Sequence, residues 1–435
     1  MERRVEQGIN TWLVSNHGIR KNSPDGVTNV IMSSVSPLKE RGFIINVVGP
    51  EIPDKENNLA EITVGKRLKF SLNKTKFEAS VLYRGKPKAR KLLSKEKPDL
   101  VVVHQPLAGN VTHSLMTADR EEKICFIGVL HAQVEALDTK TQGIYFLARH
   151  WRRPTLSSST FPMGFTPGPL ETINNRLDGR YGVSKAAIRF WNQYLPGDYE
   201  LIYNGIDTNI FKPDENKKKE ESNQEDTLIF FAAARLDERK GLDKLLEGVN
   251  VAVYKKGVRN FKVQIAGDGK MREPLLEKRK QLELETYVDF LGFISQEELI
   301  KRYGSAHFFI LTPTGGEAFG LVLGEAMASG TPVIGSNIAG YDEVIGGNLS
   351  FAWMVNPNDP EDIASKIEAA AKIGPDKRKE LGEQARKYVE ERFSLTSAIN
   401  NQVEYFKECI ERRRSKVAEK GRKHFVAPKG DVFVK

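Results

Sequence analysis

Short apolar segments alternate with helical segments along nearly the whole chain, and this alternation limits the possible folds more than any other feature. The apolar segments are rich in β-branched and aromatic residues, for example DLVVVH at 99–104 and TLIFFAA at 227–233. Strands of this kind, separated by helices, indicate parallel sheets whose two faces are covered by helices. We therefore predict an α/β protein.

The alternation runs in two series. The first predicts strands at 11–16, 43–49, 99–104, 124–130, 179–184 and 199–203. The second predicts strands at 227–233, 262–267, 287–292, 307–312, 332–335 and 351–355. Residues 204–226 lie between the two series, and their charged second half is typical of a linker. Two halves joined near residue 210 predict a cleft between two sheets.

The length agrees with this division, because 435 residues are too many for one ordinary core. We predict an N-terminal domain at 1–208 and a C-terminal domain at 209–394. A last helix is predicted at about 395–414, followed by a basic tail at 415–435.

The chain is basic, with 66 Lys and Arg against 57 Asp and Glu and a net charge of +9. This favours an acidic partner, which is a nucleic acid, an anionic lipid or a phosphorylated small molecule. Two cysteines, Cys125 and Cys409, fit a reducing compartment better than a disulfide scaffold. No apolar run approaches the roughly 18 residues of a membrane span, and the N-terminus has no signal-peptide core. We expect a cytoplasmic protein, soluble or peripheral to a membrane.

The stretch from Thr312 to Ser336 carries the strongest functional signal. An apolar strand, a glycine-bearing turn and a helix place a helix N-terminus at the carboxyl edge of the sheet. Unpaired N–H groups there attract anions such as phosphate. Glu317 lies in the turn, and Glu325 lies about two helical turns further on. This pattern predicts a diphosphate site flanked by carboxylates that can accept hydrogen bonds from hydroxyl groups.

Two cations, Arg235 and Lys240, flank a tight turn after the strand at 227–233. This turn is predicted at the same carboxyl edge as Glu317. Arg offers a planar fork and Lys a point charge, and both suit the oxygens of a departing diphosphate. A basic surface turn would look the same in isolation, so the interpretation depends on the neighbouring carboxylates.

The first half contributes two candidates. Gly26, in SPDGV, is predicted at a helix start that can approach a phosphate across the cleft. His131 ends the strand at 124–130, at the cleft-facing edge. A histidine at a strand end is commonly structural, but this position favours a functional role.

Several other chemistries lack their motif. Gly267, Asp268 and Gly269 follow a strand, but Arg272 occupies the last position that a GxGxxG fingerprint requires. The chain contains no GxxxxGK[ST] P-loop and no GxSxG hydrolase elbow. The seven histidines are scattered and the cysteines are far apart, so no bound metal is predicted.

A basic segment, 84–97, carries seven Lys and Arg and one Glu. Lys88, Lys91 and Lys95 recur at helical spacing, with Arg90 among them. One interpretation is a solvated helix face, and the other is contact with an anionic membrane surface. Nucleic acid is disfavoured, because the basic segments lack interleaved aromatic residues.

Read in order, these motifs resemble retaining glycosyltransferases of family 4, which have the two-domain GT-B fold. The motifs are RLDERKG, IAGDG, YVDFLGFIS and GGEAFGLVLGEAMASGTPVIGS. The resemblance covers nearly the whole chain. In the first half, PDGVTNV, IGVLHAQ and GRYGVSKAAIRF are most similar to the phosphatidylinositol mannosyltransferases of that family. The resemblance implies two Rossmann-like domains that face each other across a deep cleft. It also implies that the last helix packs back on the first domain.

The resemblance also implies roles for the matching residues. Glu317 would contact hydroxyls of the donor sugar, and Glu325 would bind the ribose. Arg235 and Lys240 would clamp the diphosphate, with Arg239 nearby. The other implied donor contacts are His131 beside the sugar, Gly26 at the diphosphate, Ile294 at the base, and the backbone N–H groups of Phe319, Gly320, Leu321 and Val322.

The implied reaction is transfer of a hexose, with mannose favoured, from a nucleotide-diphosphate sugar to a lipid-linked or phosphorylated alcohol. The implied route is front-face attack with retention, and the implied location is the inner face of the plasma membrane. The residues expected on the acceptor or membrane side are Asp25, Arg67, Lys88, Arg90, Lys91 and Lys95.

Two departures keep the donor open. The family often has Gly-Gly where this chain has Asp25-Gly26, so Asp25 could orient an acceptor hydroxyl or cap the helix. The helix after Ile294 lacks the base-proximal lysine of the mannosyltransferases, which leaves a UDP-sugar as an alternative to GDP-mannose. A sugar-nucleotide epimerase and a non-catalytic basic binding protein are the alternatives from other functional classes.

Overall fold

The computed structural model describes residues 8–15, 19, 26–51, 58–72, 75–81, 85–104, 110–119, 122–131, 153–155, 164–166, 169–214 and 227–424. These residues form two large sheets of mainly parallel strands with helices packed against them. The predicted α/β architecture is therefore confirmed.

The strands are numbered in chain order. Those before the linker are β1 (Ile9–Ser15), β2 (Phe43–Glu51), β3 (Ile62–Leu72), β4 (Thr75–Val81), β5 (Leu100–His104), β6 (Cys125–Leu130), β7 (Arg153–Thr155), β8 (Gly164–Thr166), β9 (Gly179–Gly182) and β10 (Glu200–Leu201). Those after it are β11 (Leu228–Ala233), β12 (Phe261–Ala266), β13 (Val288–Gly292), β14 (Phe308–Leu311), β15 (Val333–Ser336) and β16 (Ala352–Val355).

The helices are numbered in the same way. They are α1 (Gly26–Glu40), α2 (Gly85–Glu96), α3 (Asn110–Ala118), α4 (Pro169–Arg176), α5 (Lys185–Asn192), α6 (Leu242–Asn250), α7 (Arg272–Gln281), α8 (Gln296–Ser305), α9 (Leu321–Ala328), α10 (Ala339–Ile345), α11 (Pro360–Ala371), α12 (Pro375–Arg392) and α13 (Leu395–His424). A single 3₁₀ turn, Glu238–Lys240, precedes α6, and a short π-helix, Val251–Lys255, follows it.

Both sheets are doubly wound. The first has the order β10-β9-β6-β5-β1-β2-β3-β4, and the second has the order β13-β12-β11-β14-β15-β16. In each sheet the chain starts in the middle and extends first to one side and then to the other, so β1 and β11 lie at the switch points. Ligand sites of open α/β sheets lie at the carboxyl ends of strands at such points.

The second sheet is buried on both faces. Phe231 of β11 is paired in register with Phe309 of β14, and their ring centroids lie 6.2 Å apart. Phe230 stacks on Phe308 at 5.4 Å, and all four rings are almost fully buried. Continuous apolar strands are therefore required here, and this is why their positions were predicted within a residue or two.

The two connections between the sheets lie side by side. Ile206, on the first, forms a parallel β-bridge with Ser394, on the second. The predicted domain boundaries, at 208 and 394, lie within two residues of this bridge. After it, α13 returns to the first sheet, where Phe406 packs edge-on against Phe43 at 6.2 Å.

Three parts of the structure differ from the prediction, and the first is the short antiparallel β7–β8 hairpin, where no strand was predicted. Strands β3 and β4 form an antiparallel hairpin at the edge of the first sheet, where no strand was predicted. Their sequences interleave Lys with apolar residues, as edge strands commonly do, so they lack the continuous apolar signal of buried strands. The last helix was predicted to end near Arg414, but α13 continues to His424, through much of the segment assigned to the tail.

Candidate active site

The turn between β14 and α9 forms the centre of the site. Gly316 and Gly320 have positive φ values of 73° and 87°, a left-handed conformation that favours glycine. Gly320 is the N-cap of α9, and a Cβ atom added to it would lie 2.7 Å from the ring of Tyr341. Among the described residues, no side chain caps this helix. Its first N–H groups, at Leu321 and Val322, are therefore available to an anion.

Glu317 is held by the two basic residues of the 3₁₀ turn. Lys240 Nζ donates a hydrogen bond to Glu317 Oε1 at 2.7 Å, and both side chains are largely buried. Arg239 Nη1 lies 3.6 Å from the same oxygen and also donates to the carbonyl of Gly316. The structure thus brings together the side chains of Glu317, Lys240 and Arg239 in the loops before α6 and α9, and their roles towards a donor stay predictions.

Arg235 differs from Lys240 in its surroundings. Its side chain is 60% exposed, and its Nε donates to Asp237 Oδ2 at 2.9 Å. The structure therefore does not place the Arg235 guanidinium in the cluster around Glu317. An exposed arginine at this edge can still turn towards a bound diphosphate, so its predicted role stays a prediction.

Close backbone packing joins the loops at this edge of the second sheet. Gly241 has a φ of 61°, and a Cβ atom added to it would lie 1.9 Å from the carbonyl oxygen of Thr312. The hydroxyl of Thr312 donates to the carbonyl of Gly241 at 2.9 Å. Only glycine permits this approach, which presses the turn carrying Lys240 against the loop carrying Glu317.

Glu325 lies one helical turn into α9, where Tyr303 of α8 donates its hydroxyl to Glu325 Oε2 at 2.9 Å. Burial raises the pKa of Glu325 from its ordinary value of 4.5 to about 7, although the hydrogen bond from Tyr303 lowers it. Within the described residues, Oε1 accepts no hydrogen bond. The predicted ribose carboxylate is therefore anchored by one oxygen.

The side chain of Phe319 does not line the site. It is buried between Tyr203, at 5.7 Å, and Phe393, at 5.4 Å, beside the connections between the sheets. The predicted contact from the Phe319 backbone N–H group stays a prediction, because burial of the side chain does not involve that group. Ile294 follows β13 and is partly buried, and its neighbour Phe293 is 66% exposed.

The first domain reaches the site through α1. A Cβ atom added to Gly26 would lie 3.7 Å from the side chain of Leu321, at the start of α9. The N-termini of α1 and α9 therefore lie close together, and the contact of Gly26 with a diphosphate stays a prediction. Asp25 lies outside the described residues.

His131 is buried at the end of β6 and has a histidine neighbour that the sequence did not indicate. Its Nε2 lies 2.7 Å from Nδ1 of His104, and the two rings stack with centroids 4.9 Å apart. The pKa of His104 lies well below its ordinary value, because it is buried and faces His131. His104 therefore stays neutral near pH 7, and one of the two facing nitrogens carries the shared hydrogen.

The basic residues of α2 lie on its exposed side. Lys88, Arg90, Lys91 and Lys95 are exposed, whereas Ala89 and Leu93 of the same helix are buried. Arg67 is part of β3, and its side chain lies outside the described part of the structure. The membrane interpretation therefore concerns one charged helix face.

The described residues contain no helix with both the length and the apolar character to cross a membrane. They also contain no group of three or more His, Cys, Asp and Glu placed to bind a metal ion.

Three residues of the site region were missed by sequence reasoning, namely Tyr303, His104 and Glu343. Glu343 of α10 accepts hydrogen bonds from the backbone N–H groups of Lys185 and Ala186 in the first domain, both at 2.7 Å. Each of the three acts through a partner at least 22 positions away in the chain, so no local spacing reveals it.

Two family models together match most of the chain. The model described as "Glycosyltransferase Family 4" matches residues 24–210, and the one described as "Glycosyl transferases group 1" matches residues 213–388. The matches meet near the linker, so each model covers most of one sheet, although β1 precedes the first match and α13 follows the second.

Curated relatives agree with these matches. An uncharacterized glycosyltransferase of Methanocaldococcus jannaschii is 31% identical over 218 residues, which is 49% of this chain and about half, 54%, of that protein. A phosphatidyl-myo-inositol mannosyltransferase of Mycobacterium tuberculosis is 24% identical over 337 residues, which is 77% of this chain and 80% of that protein.

Solved structures with this fold include a glycosyltransferase from Rickettsia africae, with a TM-score of 0.67, 20% identity and coverage of 93% of this chain and 99% of that one. Anabaena HepE in complex with UDP and glucose has a TM-score of 0.68 and 17% identity, and the match covers 92% of this chain and all of that one. At these identities the likeness concerns the fold.

Proposed function

This chain is a family 4 glycosyltransferase with the GT-B fold, and we propose that it transfers a hexose from a nucleotide-diphosphate sugar to an alcohol acceptor with retention of configuration. The observation that carries the proposal is the Lys240–Glu317 pair beside the uncapped start of α9. A carboxylate for sugar hydroxyls and cations for phosphate meet there within one site.

The proposed chemistry needs no separate base. The acceptor hydroxyl oxygen forms a bond to the anomeric carbon on the face that the diphosphate leaves, and the bond from that carbon to the phosphate oxygen breaks. The acceptor proton passes to the departing phosphate. Negative charge grows on the diphosphate, where Lys240, Arg239 and the N–H groups of Leu321 and Val322 stabilise it.

We assign the remaining donor contacts from the family resemblance. Glu317 accepts hydrogen bonds from sugar hydroxyls, and Glu325 does so from the ribose. Gly26 lets the start of α1 approach the diphosphate from the first domain, and His131 faces the sugar. Ile294 offers its backbone to the base.

Mannose is favoured as the sugar. The mannosyltransferase relative from Mycobacterium tuberculosis aligns over three quarters of the chain, 77%. A UDP-sugar is the alternative, since this chain lacks the base-proximal lysine and HepE, which shares the fold, is described in complex with UDP and glucose. A panel of GDP-mannose, UDP-glucose, UDP-galactose and UDP-GlcNAc, scored by hydrolysis, tests the donor. Turnover of GDP-mannose alone is expected, and turnover of a UDP-sugar in its place would overturn the mannose assignment.

We also propose that the acceptor is a lipid-linked or phosphorylated alcohol and that the enzyme acts at the inner face of the plasma membrane. The exposed basic face of α2 supports this, because each Lys or Arg near an anionic membrane contributes about 1 kcal/mol. The bilayer then holds the first domain close to a lipid acceptor.

Vesicle co-sedimentation tests the membrane proposal. Binding to vesicles with anionic lipid, and not to neutral vesicles, is expected for the wild-type chain. Replacement by Gln of four exposed residues of α2 should abolish it, namely Lys88, Arg90, Lys91 and Lys95. The matched control replaces by Gln four exposed lysines of the second domain, namely Lys372, Lys377, Lys379 and Lys387. Equal losses in both variants would show that net charge, and not α2, governs binding.

A further inference from the structure

Tyr303 is a completely buried tyrosine whose hydroxyl is directed at a predicted donor-binding residue. Its side chain is 0% exposed. Among the described residues, its hydroxyl has one hydrogen-bond partner, which is Glu325 Oε2 at 2.9 Å. A buried hydroxyl normally has a partner, but this partner is a carboxylate at the ligand edge of the sheet and not a backbone group. The contact therefore joins the core of the second domain to the site.

The ring of Tyr303 is held on several sides by other aromatic rings. Its centroid lies 5.5 Å from that of Phe231, 5.6 Å from that of Phe309 and 5.9 Å from that of Phe211. The hydroxyl of Thr331 donates to the Tyr303 carbonyl at 2.6 Å. A ring packed in this way has one position, so the oxygen at its end fixes whatever it binds.

The direction of the hydrogen bond is also defined. The pKa of Tyr303 lies well above its ordinary value, because burial and the neighbouring Glu325 both oppose loss of its proton. The phenol therefore remains a donor at any physiological pH, and Oε2 of Glu325 is the acceptor. Oε1, with no hydrogen bond within the described residues, is left to a ligand.

We propose that Tyr303 is a positioning residue for nucleotide binding: it holds Glu325 by Oε2 so that Oε1 accepts a hydrogen bond from a ribose hydroxyl. This inference rests on the proposed function, since it takes Glu325 to be the ribose carboxylate. It assigns selectivity for a ribose to a residue that no ligand touches. Without the phenol, the carboxylate has no described side-chain partner and loses its fixed orientation.

The variant Tyr303→Phe tests this directly, because it removes one oxygen and keeps the packed ring. The probes are UDP and GDP, whichever the wild-type chain binds, and the matching 2′,3′-dideoxynucleoside diphosphate, measured by calorimetry. We expect Tyr303→Phe to weaken binding of the ribonucleotide by about tenfold and to leave the dideoxy analogue within about twofold. A structural defect would weaken both ligands alike, and that result would overturn the inference.

The matched control is Tyr405→Phe. Tyr405 also has a partly buried hydroxyl, which donates to the carbonyl of Arg180 and accepts from its N–H group, but it lies on α13 against the first sheet. This variant should bind both ligands as the wild type does. An unchanged ribonucleotide affinity in Tyr303→Phe would likewise overturn the inference.

A double-mutant cycle with Glu325→Ala gives a second, independent test. Glu325→Ala should lose the same preference for the ribonucleotide, and the double variant should lose no more than Glu325→Ala does. If the losses of ribonucleotide affinity in the two single variants add up in the double variant, Tyr303 does not act through Glu325. Absence of any nucleotide binding by the wild-type chain would instead contradict the proposed function and the inference with it.

Discussion

Glu317 and Glu325 are separated by one helix start, yet their surroundings differ in charge. Glu317 faces Lys240 and Arg239, so its carboxylate is paired with cations. Within the part of the chain that the structure describes, Glu325 has the neutral phenol of Tyr303 as its side-chain partner, and burial raises its pKa to about 7. The two carboxyl groups of one motif therefore have different partners and different burial, which spacing alone could not predict.

The raised pKa of Glu325 predicts a pH-dependent stability. Its folded pKa exceeds its unfolded value of 4.5, so the folded chain binds the proton more tightly, and stability is lost as pH rises from 4.5 to about 7. Glu325→Gln removes this loss. The variant should gain stability over the wild type by up to about 3 kcal/mol as pH rises through that window. Urea unfolding at about pH 5 and about pH 8 measures the gain.

Glu247→Gln provides a control of opposite sign. Burial raises the pKa of Glu247, but the hydrogen bonds and charges of Lys278 and Lys244 outweigh it, and the net shift is downward. The wild-type carboxylate therefore stabilises the fold above its unfolded pKa, and that stability is lost in acid. Relative to wild type, Glu247→Gln should become less stable as pH rises towards the unfolded pKa of 4.5, and the difference should stay constant between about pH 5 and about pH 8. The same pH trend in both variants would contradict this account of Glu325.

For the other site residues too, the sequence predicted positions but not contacts. Glu317, Lys240 and Gly26 were predicted from their positions at helix starts and strand ends, and the structure brings them to one cleft edge. The pairing of His104 with His131 was not predicted, because it depends on adjacent strands β5 and β6 placing both rings on the same side. Sequence identifies which residues reach the edge, and tertiary packing decides which of them touch.

At the scale of elements, glycines determine how closely the loops of the second sheet approach. Gly241 lies against the Thr312 carbonyl with a left-handed backbone, and this contact sets the distance from Lys240 to Glu317. The strand–turn–helix pattern predicted the turn. The contact itself was not predictable, because it joins the loops after two different strands.

This contact predicts the effect of adding one methyl group. Gly241→Ala should destabilise the protein by at least about 3 kcal/mol, because the new Cβ atom would meet backbone that cannot move aside. The matched control is Gly257→Ala, at a φ of 71° with no atom within 4 Å of the added Cβ, where only backbone strain of about 1 kcal/mol remains. Urea midpoints of the two variants give the comparison. If both variants lose the same free energy of unfolding, the close approach to Thr312 does not add to the cost of the Gly241 substitution.

Elements were predicted well where burial dominates and poorly where it does not. The strands of the second sheet have apolar residues on both faces, and each was found close to its predicted position. The β3–β4 hairpin and the end of α13 have polar, Lys-rich sequences that suit a loop, a strand or a helix about equally. Their structure depends on neighbouring elements, which a local pattern does not contain.

At the scale of the whole molecule, the two domains are joined by a contact that spans the cleft. The carboxylate of Glu343 accepts from the backbone N–H groups of Lys185 and Ala186, the first two residues of α5. Ser184 accepts from Ala187, so the first three N–H groups of the helix all have partners. An anion at a helix N-terminus is favourable, and here it comes from the other domain.

Loss of this contact should open the cleft. Glu343→Ala removes two charge-assisted hydrogen bonds and should shift the domain equilibrium by about 1–3 kcal/mol towards open forms. Small-angle scattering should then give a larger radius of gyration than for the wild-type chain. Glu361→Ala, which removes an ion pair with Lys255 within the second domain, is the control and should not change it. Identical scattering from Glu343→Ala and the wild type would contradict a role in holding the domains together.

The most direct test of the proposed site is the activity of Lys240→Ala with the donor that the nucleotide-sugar panel identifies. Lys244→Ala is the matched control, because Lys244 pairs with Glu247 outside the cluster around Glu317. The account predicts that Lys240→Ala lowers kcat/KM by about 100-fold or more, while Lys244→Ala stays within about threefold of wild type. A Lys240→Ala enzyme within about threefold of wild type would contradict the assignment of the Lys240–Glu317 cluster as the donor site.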